Sequence, residues 1–398
     1  MRVMTVATVA LLGCLFPYGR TQQQPITPQQ ALARILQQSP AQADWFAPKF
    51  LAQIPVARID AIVQQYTAAL GRFQRAEATA DGFTVVMEHG TAEAKIHLDE
   101  QGRIDGLWFG APQTDKAESL DDIMKEMGGL PGKVSALVLE DGKPLASVHP
   151  DEALGVGSAF KLAILAAAQE QVAGGKRRLD EVHPLDKKWK SLPSGSLQNW
   201  PDGTPLTVAT LENQMISMSD NTAADGMLSI VGRGEAQKFA PGNKPFLSTR
   251  EAFVLKARTN EALLDRYRKA DENGRRAMLA EIDTLPLPDL GEFSGAAQAT
   301  DIEWFFTANE MCALMAKVAD ADAMHINPGL AKAAQWKQIA FKGGSEGGVL
   351  NLTTGLTGKN GRHYCVVATW NNNAPLEQEK LFAIYGRLLN ALAKTSAQ

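Results

Sequence analysis

The chain has 398 residues, a length that exceeds one ordinary hydrophobic core and predicts two domains. Its apolar content of 45% and charged content of 21% are those of a globular protein and exclude an intrinsically disordered chain. A net charge of −4 gives no electrostatic reason to expect nucleic acid as a partner.

Residues 1–20 have the pattern of an export signal, because Arg2 precedes an apolar run too short to span a bilayer. We therefore expect the mature protein to be periplasmic or secreted. Leu11-Leu12-Gly13-Cys14 resembles a bacterial lipobox, in which Cys14 would be lipidated and would bring the protein to a membrane. The apolar run continues past Cys14, which favours ordinary cleavage between Gly19 and Gln24.

Residues 25–111 predict a small α+β domain in which helices precede an antiparallel meander. The predicted helices are Thr27–Gln37, Ala41–Gln53 and Val56–Leu70, and the predicted strands are Phe73–Thr79, Gly82–His89, Ala92–Leu98 and Ile104–Phe109. His89 and His97 lie on neighbouring predicted strands. Because no third metal ligand is evident in the sequence, a cross-strand pair of histidines is favoured over a metal site.

Residues 112–117 form a predicted linker, and residues 118–396 predict a larger α+β domain. Its strands lie at both ends of the segment and join most simply into one antiparallel sheet, beside a helical lobe. The predicted elements are Leu120–Met127, Val134–Glu140, Pro144–His149, Thr207–Met218, Thr222–Val231, Gln338–Lys342, Val349–Thr357, His363–Trp370 and Pro375–Ala393. Cys312 falls in a helical pattern and Cys365 in a strand pattern, and we expect two buried free thiols.

The segment Gly155–Gly174 predicts a helix that is apolar on every side and therefore buried. Its first turn carries Ser158 and Lys161, which are three residues apart and so share one face. Burial lowers the pKa of a lysine, and a neutral amine is a base that activates a serine nucleophile. The alternative for this pair is a helix cap and a lysine that reaches solvent.

Two further motifs follow in the chain, Ser219-Asp220-Asn221 between two helical patterns and Lys342-Gly343-Gly344 at the end of a strand pattern. Together with Ser158-x-x-Lys161, their order and setting resemble the serine β-lactamase and penicillin-binding protein family, particularly class A, over about residues 118–395. The resemblance implies a β-lactamase-like fold, with a helical lobe beside an α/β lobe and a cleft between them.

The resemblance also implies a role for each motif residue. Ser158 would form an acyl-enzyme, Lys161 would take its proton, and Ser219 would relay a proton to the leaving atom beside Lys342. In the substrate-binding part, Asn221 would bind a substrate amide, and Gly344 and Ser345 would line the substrate. The backbone N–H groups of Ser158 and Ser345 would form the oxyanion hole.

The sequence departs from the family pattern in two places. Gly343 stands where the family usually has a hydroxyl residue that grips a substrate carboxylate. The glutamate motif that activates the deacylating water, E-x-x-L-N, does not occur between residues 222 and 300. Glu251 and Glu346 are weak candidates for that base, and Glu251 also fits a capping box that begins at Ser248.

The first domain resembles, through Phe46–Leu51 and Gly106–Phe109, the cystatin-like or isomerase-like domain fused to a β-lactamase-like domain in the two-domain serine hydrolase of clavulanic-acid gene clusters. This resemblance implies esterase or weak β-lactam chemistry.

The sequence therefore predicts a serine hydrolase that acts through a Ser158 acyl-enzyme on β-lactams or related amides and esters, with slow or atypical deacylation. Its partner would be a small-molecule substrate, and we expect no cofactor and no metal. Two alternatives stay open: a penicillin or peptidoglycan binder that does not turn over, and an esterase without β-lactam activity. Gly343–Gly347 also fits the G-x-S-x-G elbow of α/β-hydrolases, which needs a helix after its serine.

Overall fold

A computed structural model describes residues 26–114, 119–293 and 297–396 of the chain. The predicted export signal and Cys14 lie outside these residues. The described chain divides into two compact units, one ending at Gly110 and the other beginning at Ala111. Within the described ranges, no helix combines the length and the apolar character that a membrane crossing requires.

The first unit is an antiparallel four-stranded sheet preceded by helices. The helices are α1 Pro28–Gln37, α2 Pro48–Leu51 and α3 Val56–Leu70, and the strands are β1 Phe73–Thr79, β2 Gly82–Met87, β3 Gly90–Leu98 and β4 Ile104–Phe109. Neighbouring strands pair in the order β1-β2-β3-β4. The single helix predicted over Ala41–Gln53 is wrong: a 3₁₀ turn at Ala43–Trp45 precedes α2. The reason is Pro48, which lacks an N–H and so begins a helix instead of continuing one.

A separate hydrophobic core stabilises this unit. It contains the inner faces of α1 and α3, for example Leu32 and Ile59, and alternate residues of the strands, for example Val85 and Ile104. The cross-strand pair expected between His89 and His97 is wrong, because in the β2–β3 register Met87 faces Gly90, so His97 lies at the far end of the hairpin. The Nδ1 atom of His97 instead lies 2.5 Å from a carboxylate oxygen of Asp105 on β4.

The second unit contains the remaining elements. In chain order they are β5 Gln113–Thr114, α4 Leu120–Gly128, β6 Lys133–Glu140, β7 Lys143–Val148, β8 Leu154–Gly155, α5 Lys161–Ala173, β9 Val182–Pro184, β10 Pro205–Thr207, α6 Val208–Ser217, α7 Asn221–Val231, α8 Arg233–Lys238, α9 Thr249–Lys256, α10 Glu261–Lys269, α11 Glu272–Ile282, β11 Phe305–Phe306, α12 Ala308–Val318, β12 Gln338–Glu346, β13 Val349–Thr357, β14 His363–Asn371 and α13 Gln378–Ser396.

One antiparallel sheet, in the order β12-β13-β14-β6-β7, joins the strands from the two ends of this unit, as the sequence predicts. Two cores flank it. On one face α4 and α13 pack against the sheet, and on the other face α12 packs against the sheet and α5. Helix α5 is buried on every side from Lys161 to Ala168, which fits its uniformly apolar sequence. Strand β12 is an edge strand, and its outer edge lies against the turn at Gly157–Phe160.

Cys312 and Cys365 form a disulfide with their Cα atoms 5.8 Å apart, so the prediction of two free thiols is wrong. The helical pattern puts Cys312 on the buried face of α12, and the register of β14 brings Cys365 beneath it. Sequence periodicity identifies the buried face of each element separately. Periodicity does not indicate which residue of a distant strand lies opposite, so the disulfide pairing becomes evident only from the tertiary structure.

Candidate active site

The predicted nucleophile, Ser158, lies in a turn whose position is fixed by packing against β11. A 3₁₀ turn covers Gly157–Phe160 and leads directly into α5, which begins at Lys161, so the first turn of the predicted helix has 3₁₀ geometry. The Phe160 ring stacks on Trp304 with centroids 3.7 Å apart, and the backbone of Trp304 accepts a hydrogen bond of 3.0 Å from the Val156 N–H. These contacts hold the turn rigidly on both sides of Ser158.

The side-chain nitrogen of Lys161 lies at the centre of the site. Its Nζ atom is 3.1 Å from Ser158 Oγ and 3.3 Å from Ser219 Oγ. Two shorter contacts, both 2.6 Å, lead to the backbone oxygen of Ser219 and to Oδ1 of Asn221. Three residues that are up to 63 positions apart in the sequence therefore meet on one nitrogen atom.

Burial lowers the pKa of Lys161 well below its usual range, and the nearby charge of Lys342 lowers it further. Asp225 and Asp220 oppose this shift but do not outweigh it. A neutral amine has two N–H groups and one lone pair. If both N–H groups donate to Ser219 O and Asn221 Oδ1, which only accept, the lone pair is left for a hydroxyl hydrogen. The geometry thus suits a neutral Lys161 that accepts the proton of Ser158.

Ser219 lies between α6 and α7 in a left-handed conformation, with φ of 57°, which is strained for a residue with a side chain. The adjacent Asp220 is fully buried, and its side chain accepts hydrogen bonds from the backbone N–H groups of Ser196, Leu197 and Ala223. These bonds stabilise the start of α7 and compensate for the strain at Ser219.

Lys342, on β12, donates a hydrogen bond of 3.0 Å to Ser219 Oγ and one of 2.5 Å to Gly343 O. Burial lowers its pKa to about 7. The two lysines therefore contact the same hydroxyl, and the charge of Lys342 disfavours a charge on Lys161.

Gly344 brings β12 into backbone contact with the nucleophile turn. A Cβ atom on Gly344 would come within 2.6 Å of the Ala159 nitrogen and would also overlap the backbone of Val156 and Ser158, so only glycine fits. This close approach places the backbone of Ser345, the next residue, beside that of Ser158. The two amides predicted to form the oxyanion hole are thus neighbours.

Glu251, one of the two weak candidates for the deacylating base, is not brought to the site. It is buried and completes a capping box with Ser248 at the start of α9. Its two carboxylate oxygens lie 2.6 and 2.8 Å from the guanidinium of Arg233. These partners give the carboxylate a structural role and do not favour its assignment as a base.

Glu346, the other candidate, lies at the end of β12 and is paired with Lys256, which also contacts Glu303. Burial works against ionisation of Glu346, but the charge of Lys256 and hydrogen bonds from Glu303 and Lys256 outweigh it and lower its pKa. Burial and the charge of Glu346 raise the pKa of Glu303. We call these three residues the Lys256 cluster. Because Glu346 is bound within it, the prediction that Glu346 is the base is not supported.

A cavity of about 360 Å³ opens beside these groups. It is lined by residues of the motifs, namely Ser158, Ser219, Lys342, Gly343, Gly344 and Ser345, and by residues that the sequence analysis missed, among them Ser194, Met218, Asn327, Phe341 and Phe382. Ser194 donates a hydrogen bond of 2.6 Å to the Ser219 oxygen from a loop without a recognisable motif. No local sequence signal could have indicated that contact.

The G-x-S-x-G elbow is excluded by the position of Ser345. This residue lies inside β12, whose last residue is Glu346, and β13 follows after a two-residue turn. An elbow needs a helix after its serine. In the described ranges, no group of three or more His, Cys, Asp or Glu residues is arranged to hold a metal ion.

Comparison with known proteins adds a family match and several solved structures. The sequence model of the β-lactamase enzyme family matches residues 115–392. A β-lactamase from Sphaerobacter thermophilus DSM 20745 is 18% identical, with 69% of this chain and 97% of that chain covered and a TM-score of 0.45. A β-lactamase from Chitinophaga pinensis DSM 2588 is 16% identical, covering 69% and 98%, with a TM-score of 0.47. The protein PBP-A is 16% identical, covering 69% and 95%, with a TM-score of 0.47.

Proposed function

Because the chain belongs to the β-lactamase enzyme family of serine hydrolases, we propose that it acts through an acyl-enzyme formed on Ser158, with β-lactams or related amides and esters as substrates. The observation that carries the proposal is the contact of 3.1 Å between Ser158 Oγ and the buried Lys161 Nζ. A serine becomes a nucleophile only when a base takes its proton, and Lys161 is the nearest group able to do so.

In the proposed reaction, neutral Lys161 takes the hydroxyl proton as Ser158 Oγ bonds to the substrate carbonyl carbon. The N–H groups of Ser158 and Ser345 stabilise the oxygen that becomes negative. The bond from the carbonyl carbon to the leaving nitrogen or oxygen then breaks. Ser219 Oγ, 3.3 Å from Lys161 and 3.0 Å from Lys342, passes a proton to the leaving atom and is reprotonated from the lysines.

We further propose that deacylation is slow or follows an atypical route. The residues that line the cavity in the described part of the chain include no carboxylate, and both glutamates considered as bases are held in ion pairs. Hydrolysis of the acyl-enzyme requires a base for the attacking water. The same observation favours a second candidate function, a penicillin or peptidoglycan binder that is acylated once and does not turn over.

The experiment that tests this proposal is intact-mass analysis over time after mixing the protein with a penicillin or a chromogenic cephalosporin. We expect a mass increase equal to the β-lactam, no adduct with Ser158→Ala, and an unchanged adduct with the matched variant Ser147→Ala, which changes an exposed serine of β7 outside the cavity lining. A transient adduct with steady product formation identifies an enzyme, and a persistent adduct identifies the binder. An undiminished adduct on Ser158→Ala would refute the assignment.

We also propose that the protein is exported and that its first unit is related to cystatin-like domains. The disulfide between Cys312 and Cys365 supports export, because disulfides persist in oxidising compartments. The order of helices followed by a four-stranded antiparallel sheet supports the second proposal. Mass spectrometry of membrane and soluble fractions distinguishes ordinary signal cleavage from lipidation at Cys14. A soluble form without Cys14 would exclude the lipid anchor.

A further inference from the structure

The lining of the cavity beside Ser219 includes the apolar residues Ile216, Met218, Phe341 and Phe382, which we call the wall, and polar residues such as Asn327 and Gln378. The side chain of Met218 next to Ser219 is 59% exposed, although exposure of a methionine to water is unfavourable. Among the residues that line the whole cavity in the described part of the chain, Lys342 is the single charged one.

Two glycines hold the Phe341 ring in this wall. A Cβ atom on Gly329 would lie 2.5 to 2.7 Å from three atoms of the ring, and one on Gly343 would lie 3.0 Å from its Cζ atom. Gly329 has φ of 59°, a conformation that also favours glycine. The ring therefore fills the space that a side chain at position 343 would need. Gly343 is thus part of an arrangement that favours an apolar surface at this position.

The wall lies in the same cavity as the groups that we propose protonate the leaving atom. Ser219 is the group that protonates the leaving atom, and Lys342 bonds to Ser219 at 3.0 Å. Phe341 and Gly343 are the neighbours of Lys342 in β12, and Met218 is the neighbour of Ser219. These residues line the same cavity as Ser219 and Lys342, so a substituent on the leaving atom can contact them there.

Resting on the proposed function, we propose that Phe341, Gly343 and Met218 form a subsite for an uncharged, apolar leaving group, so that the preferred substrates are neutral esters or amides. A carboxylate in this subsite would lose its hydration without gaining a dedicated cation. Lys342 is a poor substitute, because it is already bonded to Ser219 Oγ and Gly343 O. Its lowered pKa of about 7 also leaves it partly neutral at neutral pH.

The test compares two esters that share a phenylacetyl group and differ only in the leaving phenol: 3-hydroxybenzamide, which is neutral, and 3-hydroxybenzoate, which carries a carboxylate. Each kcat/KM is divided by the rate of hydroxide-catalysed hydrolysis of the same ester. We expect the neutral ester to be preferred by about tenfold or more. For Phe341→Ser we expect the preference to fall by about tenfold, because water and polar groups then reach the leaving group.

Two control variants make the outcome decisive. Phe341→Leu keeps an apolar wall and should retain the preference, which separates polarity from damage to the fold. Leu145→Ser removes an apolar side chain that is 43% exposed on β7, outside the cavity lining. This variant should also retain the preference for the neutral ester. An equal or greater rate with the charged ester, or an undiminished preference in Phe341→Ser, would overturn the subsite. Undiminished hydrolysis of both esters by Ser158→Ala would instead overturn the proposed function on which the subsite rests.

Discussion

At the scale of single residues, the site concentrates features that cost stability. Lys161 and Lys342 are both buried, and both contact the hydroxyl of Ser219, whose backbone is strained. A buried lysine loses hydration and tends to lose its proton instead of remaining charged. Such costs persist where function requires them. The cost of burying the two lysines predicts a measurable dependence of stability on pH.

Replacement of Lys342 by methionine should reveal this cost. The folded-state pKa of about 7 lies below the usual value of 10.5. Between these two pH values the unfolded state binds more protons than the folded state, so the stability of the protein rises with pH. Below pH 7 the free-energy cost of burying Lys342 no longer changes with pH. The hydrogen bonds lost with Lys342 are the same at both pH values. We therefore expect the free energy of unfolding of Lys342→Met, relative to that of wild type, to be about 3 kcal/mol higher at pH 7 than at pH 10.

The measurement is urea unfolding of both proteins at pH 7 and pH 10. Lys337→Met, a change of the same size at an exposed position just before β12, is the matched control. An equal pH dependence in the control would show that burial of Lys342 is not the cause.

At the scale of elements, the Lys256 cluster ties three segments together. Lys256 is the last residue of α9, Glu303 precedes β11, and Glu346 ends β12 next to Ser345. Glu303 also packs beside Gly155 in β8, the strand that leads into the nucleophile turn. The cluster thus holds the end of β12 that carries the predicted oxyanion donor, without contacting the reacting groups itself.

Replacement of Lys256 by methionine should destabilise the protein by about 3 to 5 kcal/mol, because it leaves the buried Glu303 and the partly buried Glu346 without their cation. The triple variant Lys256→Met, Glu303→Gln and Glu346→Gln removes the charges together and should recover most of that loss. Chemical unfolding at pH 7 measures both effects.

The matched control for this prediction is Lys133→Met, which breaks the exposed pair with Glu152 and should cost at most about 1 kcal/mol. A loss in Lys256→Met as small as in Lys133→Met would mean that the cluster does not stabilise the fold. A triple variant as unstable as the single one would mean that packing, and not charge, is decisive.

The sequence predicts elements better than it predicts the contacts between them. Helix α5 and the capping boxes of α9 and α12 follow from local patterns, and the structure contains them. The contacts of Lys256 with Glu346, 90 residues away, and of Cys312 with Cys365 are not encoded locally. The meeting of Ser158, Ser219 and Lys342 was predictable only because their motifs resemble a known family.

At the scale of the whole molecule, each unit contains a complete hydrophobic core. One core lies entirely before Gly110, and the other two lie entirely after Ala111. The disulfide, the Lys256 cluster and all residues of the candidate site also belong to the second unit. The main sources of stability and the proposed chemistry therefore reside in one contiguous part of the chain.

A protein that begins at Ala111 should consequently fold and react without the first unit. We expect a cooperative thermal transition and a rate of Ser158 acylation within about twofold of that of the full chain, because burial of apolar surface within its own cores supplies most of the stability of a domain. Circular dichroism and the time course of the mass adduct measure the two quantities, with Ser158→Ala in the shortened protein as the control. A cooperative transition with acylation lost would show that the first unit takes part in the reaction, whereas absence of a transition would show that the cores of the second unit are not sufficient for folding.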